Sequence, residues 1–442
     1  MEMQFSGHFS YGKLIKFTLP SVIMMIFTSI YGVVDGIFVS NFVGKTPFAA
    51  INLIWPVAMI LGAVGFMIGT GGCALVSKIM GEGEKQKANE VFSMLIYVSV
   101  GIGVVLALFG LLFMRPVAIL LGAEGEMVED AAMYGRILSV ALPFFLLQNE
   151  FQSFLVAAEK PKLGLLITVV AGITNILLDA LFIVLFDKGL AGAAWATAIS
   201  QMVGGFIPLL YFIFSKASVL KLGKSTLDGK ALAKTCVNGS SEMMTNISMS
   251  LVSMLYNFQL LKLAGENGVA AYGVIMYVNF IFVAAFIGYS VGSAPIISFN
   301  YGAGNAAELK SLFKKSMTII LVAGVVMTIL GFILASPLSQ IFVGYDKELF
   351  EMTKRGFYIY TLSFLISGFN IFGSAFFTAL NDGVVSAIIS FLRTLLFQVV
   401  AVMVLPMFLE LDGIWYAVIA AEMLALIVTA GFLITKKSKY QY

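Results

Sequence analysis

Asp179 lies inside the apolar run NILLDALFI (175–183), and Asn175 stands four residues before it. On a helix that spacing stacks the amide and the carboxylate on one face. A carboxylate in the middle of an apolar span costs about 2.5–3.5 kcal/mol on the most lenient membrane scale, so a proton, a cation or a polar partner must offset it. Four more acids fall within apolar runs: Asp35, Glu150, Glu242 and Glu422. Depth follows from the 1.5 Å rise per residue, counted from the lysine that opens each run. Asp35 is then about 28 Å into the first run, Asp179 about 26 Å into the fifth, and Thr197 about 14 Å into the sixth, which returns. Asp35, Asn175, Asp179 and Thr197 can therefore converge. Two carboxylates, an amide and a hydroxyl form an all-oxygen set suited to Na⁺, and with one carboxylate protonated the same set is a proton site. The competing reading is that the two acids meet separate polar contacts and only fix helix packing.

Glu242, about 12 Å into the seventh run, and Glu422, about 15 Å into the twelfth, both lie in the central depth zone of the second lobe. They are candidates to neutralise a cationic substrate or relay protons, unless neighbours such as Asn246 or Arg393 satisfy them. Asn149, Gln152 and Asn370 join Asn246 as further substrate or relay candidates, and Glu150 has no assigned direction. Pro20 removes one backbone hydrogen bond below Asp35 and makes a gating bend plausible, although a static kink is the common alternative. The single histidine, His8, precedes the first run, and Cys73 and Cys236 have no metal spacing. No cofactor, no metal beyond Na⁺ and no nucleophile–base constellation is expected, which argues against an enzyme. Gly-x-Gly at 81–83 and 302–304 follows membrane helices without a strand–turn–helix context, and reads as a turn.

These side chains must be positioned by membrane helices. The chain is 60% hydrophobic and 12% charged over 442 residues, with a mean hydropathy of +0.98, which excludes a water-soluble globule. Twelve stretches of spanning length are predicted, from 14–38 to 413–435. Lysines concentrate in alternate loops and at both termini; with Arg393 counted there, that face holds 19 of the 27 Lys and Arg. The positive-inside rule then puts both termini in the cytoplasm of a plasma (inner) membrane protein. Shifting the chain by 221 residues superposes Gly71, Ser77, Gly81, Gly83 and Phe92 on Gly292, Ser298, Gly302, Gly304 and Phe313. The same offset pairs Gly110, Pro116, Gly135, Asn149, Gly192 and Ala196 with Gly331, Pro337, Gly356, Asn370, Gly413 and Ala417. One ungapped register across five regions marks a duplication. Six spans per half give parallel repeats with the working cavity between them. The expected fold is an all-α integral membrane protein of two pseudo-symmetric six-helix lobes: 1–214, a linker at 215–234, and 235–442.

The segments VDGIFVSNFVG (34–44), NILLDALFI (175–183), GLAGAAWATAISQ (189–201), VAAYG with SAPIISFNYGAGN (269–305) and GIWYAVIAAE (413–422) together resemble the multidrug and toxic compound extrusion (MATE) family, in its MepA-like prokaryotic branch. The resemblance covers essentially all twelve spans. It implies a V-shaped two-lobe antiporter exporting organic, often cationic and amphiphilic compounds in exchange for Na⁺ or H⁺. It matches Asp35, Asn175, Asp179 and Thr197 to the family's N-lobe cation-site pattern and Pro20 to its span-1 bend. The C-lobe carboxylates of some relatives have no evident match, because Glu242 lies near the start of its span. A monomer in the lipid bilayer with no nucleic-acid partner is expected. The alternative is a flippase for lipid-linked saccharides, which should carry Arg or Lys in its cavity to meet phosphate; only Arg393 is a strong candidate.

Overall fold

The computed structural model describes residues 4–43, 45–215 and 217–442; the side chains of 33, 35–37, 39–41, 45 and 48 lie outside that description. Among the described residues every regular element is helical, as an apolar chain must be when no water is present to satisfy its backbone. The first half contains α1 (Tyr11–Phe42), α2 (Lys45–Gly81), α3 (Lys85–Leu120), α4 (Glu126–Ala157), α5 (Pro161–Asp179) and α6 (Gly189–Phe214). A π turn, Ala180–Leu185, extends α5. In the second half α7 (Gly229–Gly302) precedes α8 (Ala306–Val343), α9 (Lys347–Thr361), α10 (Phe364–Ala379) and α11 (Gly383–Phe391). A second π turn, Leu392–Leu396, joins α11 to α12 (Phe397–Val404), and α13 (Pro406–Thr435) and the short α14 (Lys437–Tyr440) close the chain.

The 74-residue α7 is not one rod. Gly265 has φ 61° and ψ −149°, a conformation that ordinary residues avoid, and the helix breaks there. Both ends of α7 pack on the same end of α2: a Cβ at Gly71 would meet Thr235, and one at Gly81 would meet Phe299. The element is thus a hairpin of two crossings. Ten described helices are long and apolar enough to cross a membrane, and α9 with α10, bent by 50° at their junction, has that length and composition only when the two are taken together. With two crossings in α7 the described helices reach the expected twelve.

The duplication is visible in the contacts between the halves. A Cβ at Gly81 would fall on the carbonyl oxygen of Phe299, and a Cβ at Gly302 on that of Lys78. Under the 221-residue offset these are one contact seen from either half. The same holds where Gly71 approaches Gly239 and Gly292 approaches Thr18. Only residues without a side chain let the backbones come this close, as at other small-residue helix crossings in membranes. Gly302→Val is expected to lower stability by about 1–3 kcal/mol through overpacking, read as a lower melting temperature of the purified protein. A wild-type melting temperature would disprove the close crossing.

Both termini lie at this crossing. Phe5 and Phe9 are fully buried; Phe5 N donates to Glu159 Oε1 (3.3 Å) and Phe9 N to Glu308 Oε1 (2.9 Å), so the N-terminal segment touches both halves. Tyr301 meets Tyr440 ring to ring, and Tyr440 Oη donates to Asp382 Oδ2 at 2.6 Å. Burial, with that bond to Asp382, pushes the Tyr440 phenol above its usual range. Lys78, Lys315 and Glu159 belong to the same contact network, so the lysine-rich turns and the termini share one face of the protein. Arg393 does not belong to that face. It lies in the π turn in the middle of its span, which leaves the lysine bias to the lysines alone.

Candidate functional site

The first polar cluster is in the first half. Asn175 and Asp179 lie on the buried face of α5, 2% and 0% exposed, and Thr197 on α6 is 8% exposed. Ser200 Oγ donates to the Ala171 carbonyl (2.8 Å), which sets the register of these antiparallel helices. One turn up α5 and one turn back along α6, that register puts Thr197 level with Asn175. Asn175 Nδ2 and Thr197 Oγ1 are buried, with no hydrogen bond among the described residues. A Cβ at Gly172 would strike the rings of Phe27 and Tyr31, so the missing side chain lets α1 rest on the same face of α5. The backbone of Asp35 lies in α1, but its side chain is outside the described residues. The α-helical hydrogen-bond pattern gives way to the π turn directly after Asp179, a local widening that recurs at functional positions. α1 runs through Pro20 as one continuous helix.

Asn149 and Gln152 are both buried. They lie with Gln148 and Glu150 on a stretch of α4 that α2 and α6 enclose. Gly69 sits on the Glu150 backbone and Gly204 on the Gln148 side chain. Gln152 borders a crevice of about 10 Å³, room for no more than one water. Glu150 is fully buried, with Ser99 beside its carboxyl group. The direction left open for this residue is therefore inward. The polar run is the cause, since its amides lie against glycine-lined helix surfaces rather than an opening.

The second cluster is in the other half. Arg393 Nε donates to both Glu422 carboxylate oxygens (2.9 and 3.1 Å), and Asn370 Nδ2 donates to Glu422 Oε2 (2.7 Å) and to the Glu422 carbonyl (2.9 Å). Glu422 is thus satisfied by Arg393 and Asn370. Asn246 plays no part in this; its amide donates to the Glu242 carbonyl one turn back (2.8 Å). Beside the pair is a cavity of about 270 Å³, walled by Met25, Thr28 and Ser29 of α1 and by the interior of the second half. Glu242, Arg393 and Glu422 all reach it. Arg393 and Glu422 pair with each other, so Glu242 is the acid on this wall that enters no ion pair among the described residues. Tyr256 and Tyr272 stack across the α7 hairpin (4.9 Å between centroids, 8° between planes), and Tyr360 completes an aromatic side. Among the described residues no group of three or more His, Cys, Asp or Glu gathers as a metal centre.

Sequence reasoning missed the tyrosine wall, and it named Arg393 as a possible partner of Glu242 or Glu422 without choosing between them. A signal for the bond was available: Arg393 and Glu422 have opposite charge and lie at the same depth, about 15 Å, in consecutive spans. The 221-residue offset sets Asn370, Glu422 and Arg393 on Asn149, Gln201 and Gly172, so the amide is duplicated while the ion pair is confined to one half.

The MatE family model matches residues 20–181 and again 242–404. The multidrug export protein MepA of Staphylococcus aureus (strain MSSA476) is 26% identical over 416 residues, 93% of this chain and 91% of that protein. A MepA from Staphylococcus saprophyticus is 24% identical over 422 residues, with the same coverage. A solved multidrug resistance MATE family transporter of the MOP superfamily, in an outward-facing conformation, superposes with a TM-score of 0.93. It shares 22% identity and covers 99% of this chain and 98% of that one.

Proposed function

This chain belongs to the MatE family of multidrug efflux transporters, and on that premise we propose that it exports organic cations by alternating access, in exchange for Na⁺ or H⁺. The observation that carries the substrate class is the cavity between α1 and the second half: aromatic on one side, and lined by the Glu242 carboxyl group, which has no ion-pair partner among the described residues. An amphiphilic cation gains from both, through charge pairing with Glu242 and through the ring faces of Tyr256 and Tyr360. Methionines 25, 249 and 276 supply a wall that adapts to different shapes. A flippase for lipid-linked saccharides would need free positive charge here, and Arg393 is already committed to Glu422.

For the driving step we propose Asp35, Asn175, Asp179 and Thr197 as the ion site. Burial of Asp179, Asn175 and Thr197 on facing helices, with α1 against them, supports that assignment. Ion binding there would act on α1, which also walls the substrate cavity through Met25, Thr28 and Ser29. One helix thus contacts both sites, as reciprocal coupling requires. We further propose that residues 1–214 and 235–442 move as the two lobes, that 215–234 links them, and that the lysine-rich face with both termini is cytoplasmic; Lys216 of that linker lies outside the described residues. Transport rather than catalysis is the reading the relatives support.

Glu242→Gln tests the substrate assignment. It is expected to weaken binding of a lipophilic cation by about 10–100-fold, the loss that follows removal of a charged partner, while a neutral dye of similar size binds as before. Equal affinity of variant and wild type for the cation, measured by fluorescence titration, would defeat the assignment.

A further inference from the structure

A second cavity, about 460 Å³, opens where α1 begins and α4 turns into α5. Lys13 and Lys16 approach it from the first turns of α1, and Lys160 and Lys162 from the start of α5. Lys13 Nζ lies 4.2 Å from the Phe9 ring centroid and bonds the His8 carbonyl at 3.5 Å. Lys16, Lys160 and Lys162 are exposed and enter no ion pair among the described residues. One acid, Glu159, faces the same space and accepts from Phe5 N. Among the described residues that line this pocket, four lysines stand against one carboxylate. Its deeper walls are apolar, formed by Phe17, Pro20 and Leu163.

We propose that this pocket binds the phosphate headgroup of an anionic membrane lipid. The location decides the source of the phosphate. The spans Tyr11–Gly32 and Pro161–Leu185 both begin here, so the lysines stand where hydrocarbon gives way to headgroups. Basic pockets between membrane helices hold such headgroups, and lysine serves as a point charge for phosphate. A free phosphate ion gains nothing from Phe17, Pro20 and Leu163, whereas a lipid lays its glycerol and acyl carbons on them. The duplication provides an internal control. In the second half the same corner carries Asn381, Asp382 and Gly383 in place of Lys160, Pro161 and Lys162, and Val237 in place of Lys16. There the chain's own tail occupies the corner: Tyr440 bonds Asp382, and Lys439 lies 3.8 Å from it. The basic, open version is a property of this sequence rather than of the fold. Because Pro20 forms part of the wall, a bound lipid touches the one position where α1 lacks a backbone donor.

Native mass spectrometry of the full-length protein tests this, with phosphatidylglycerol and phosphatidylcholine of equal chain length offered together. Phosphatidylglycerol adducts are expected to exceed phosphatidylcholine adducts by about tenfold, and the triple variant Lys16→Gln/Lys160→Gln/Lys162→Gln to lose that preference. Lys436→Gln/Lys437→Gln, on the same face, should keep it. Equal adducts on the wild type, or a preference that survives in the triple variant, would overturn the site. Displacement of the lipid by an equal concentration of soluble glycerol phosphate would overturn the lipid as its occupant. The lysines are exposed, so a melting temperature close to wild type checks that the triple variant is folded.

Discussion

Asp179→Asn is expected to bring gradient-driven export of an organic cation from proteoliposomes down at least about tenfold, to the rate seen without a gradient, because an ion moves a transporter only through unequal affinity for its two states. The substitution keeps the size of a fully buried side chain and exchanges one acceptor oxygen for an amide donor, so folding should survive. It removes the charge that would attract Na⁺ or exchange a proton. Imposing Na⁺ and pH gradients separately on the wild type identifies the ion, and the variant should fail to respond to either. Affinity for the organic cation should stay near wild type, since Glu242 and the tyrosine wall belong to the other cluster. Efflux at the wild-type rate would remove Asp179 from the proposed ion site while leaving the substrate cavity untouched.

The second large effect is on stability. Arg393→Met is expected to cost about 3–5 kcal/mol, the usual consequence of leaving one partner of a buried ion pair without its counter-charge. Glu422 is 4% exposed at its side chain and would retain only the Asn370 amide. Arg393→Met/Glu422→Gln removes both charges and should recover most of the loss, because the desolvation cost disappears together with the attraction. The two single variants and the double variant, melted under identical conditions, close a double-mutant cycle. A coupling near zero would mean that the pair carries no weight in the fold. If the double variant regains stability and still fails to export, the pair acts in the transport cycle as well.

The Arg393–Glu422 pair also shows where sequence reading reached its limit. Depth along a helix follows from counting residues, so both groups could be placed about 15 Å into their spans. Rotation about the helix axis does not follow from counting once most faces are apolar, since the amphipathic signal that orients a soluble helix is absent in a membrane span. Hence Glu422 was a candidate relay until Asn370 and Arg393 were found around it, and Asn246 was a candidate partner until its amide was found on a backbone carbonyl. Glu150 is the same case from the other side: buried, central, and of unknown direction until α2 and α6 closed over it.

The twelve crossings, the halving of the chain and the gathering of lysines at one face were determined by the sequence itself. Each rests on a property that accumulates along the chain: apolar length, a constant 221-residue register, and charge counted loop by loop. The candidacy of Asn175, Asp179 and Thr197 was legible for the same reason, because a carboxylate at mid-membrane depth is costly wherever its helix points. Tertiary structure alone decided which polar groups meet. It joined Arg393 to Glu422, stacked Tyr256 on Tyr272 across a break at Gly265, and set four lysines from α1 and α5 around one pocket. Those contacts depend on crossings such as Gly81 on Phe299 and Gly302 on Lys78, where the spacing is fixed by backbone against backbone. Such distances are properties of two helices at once, and no residue of either one encodes them alone.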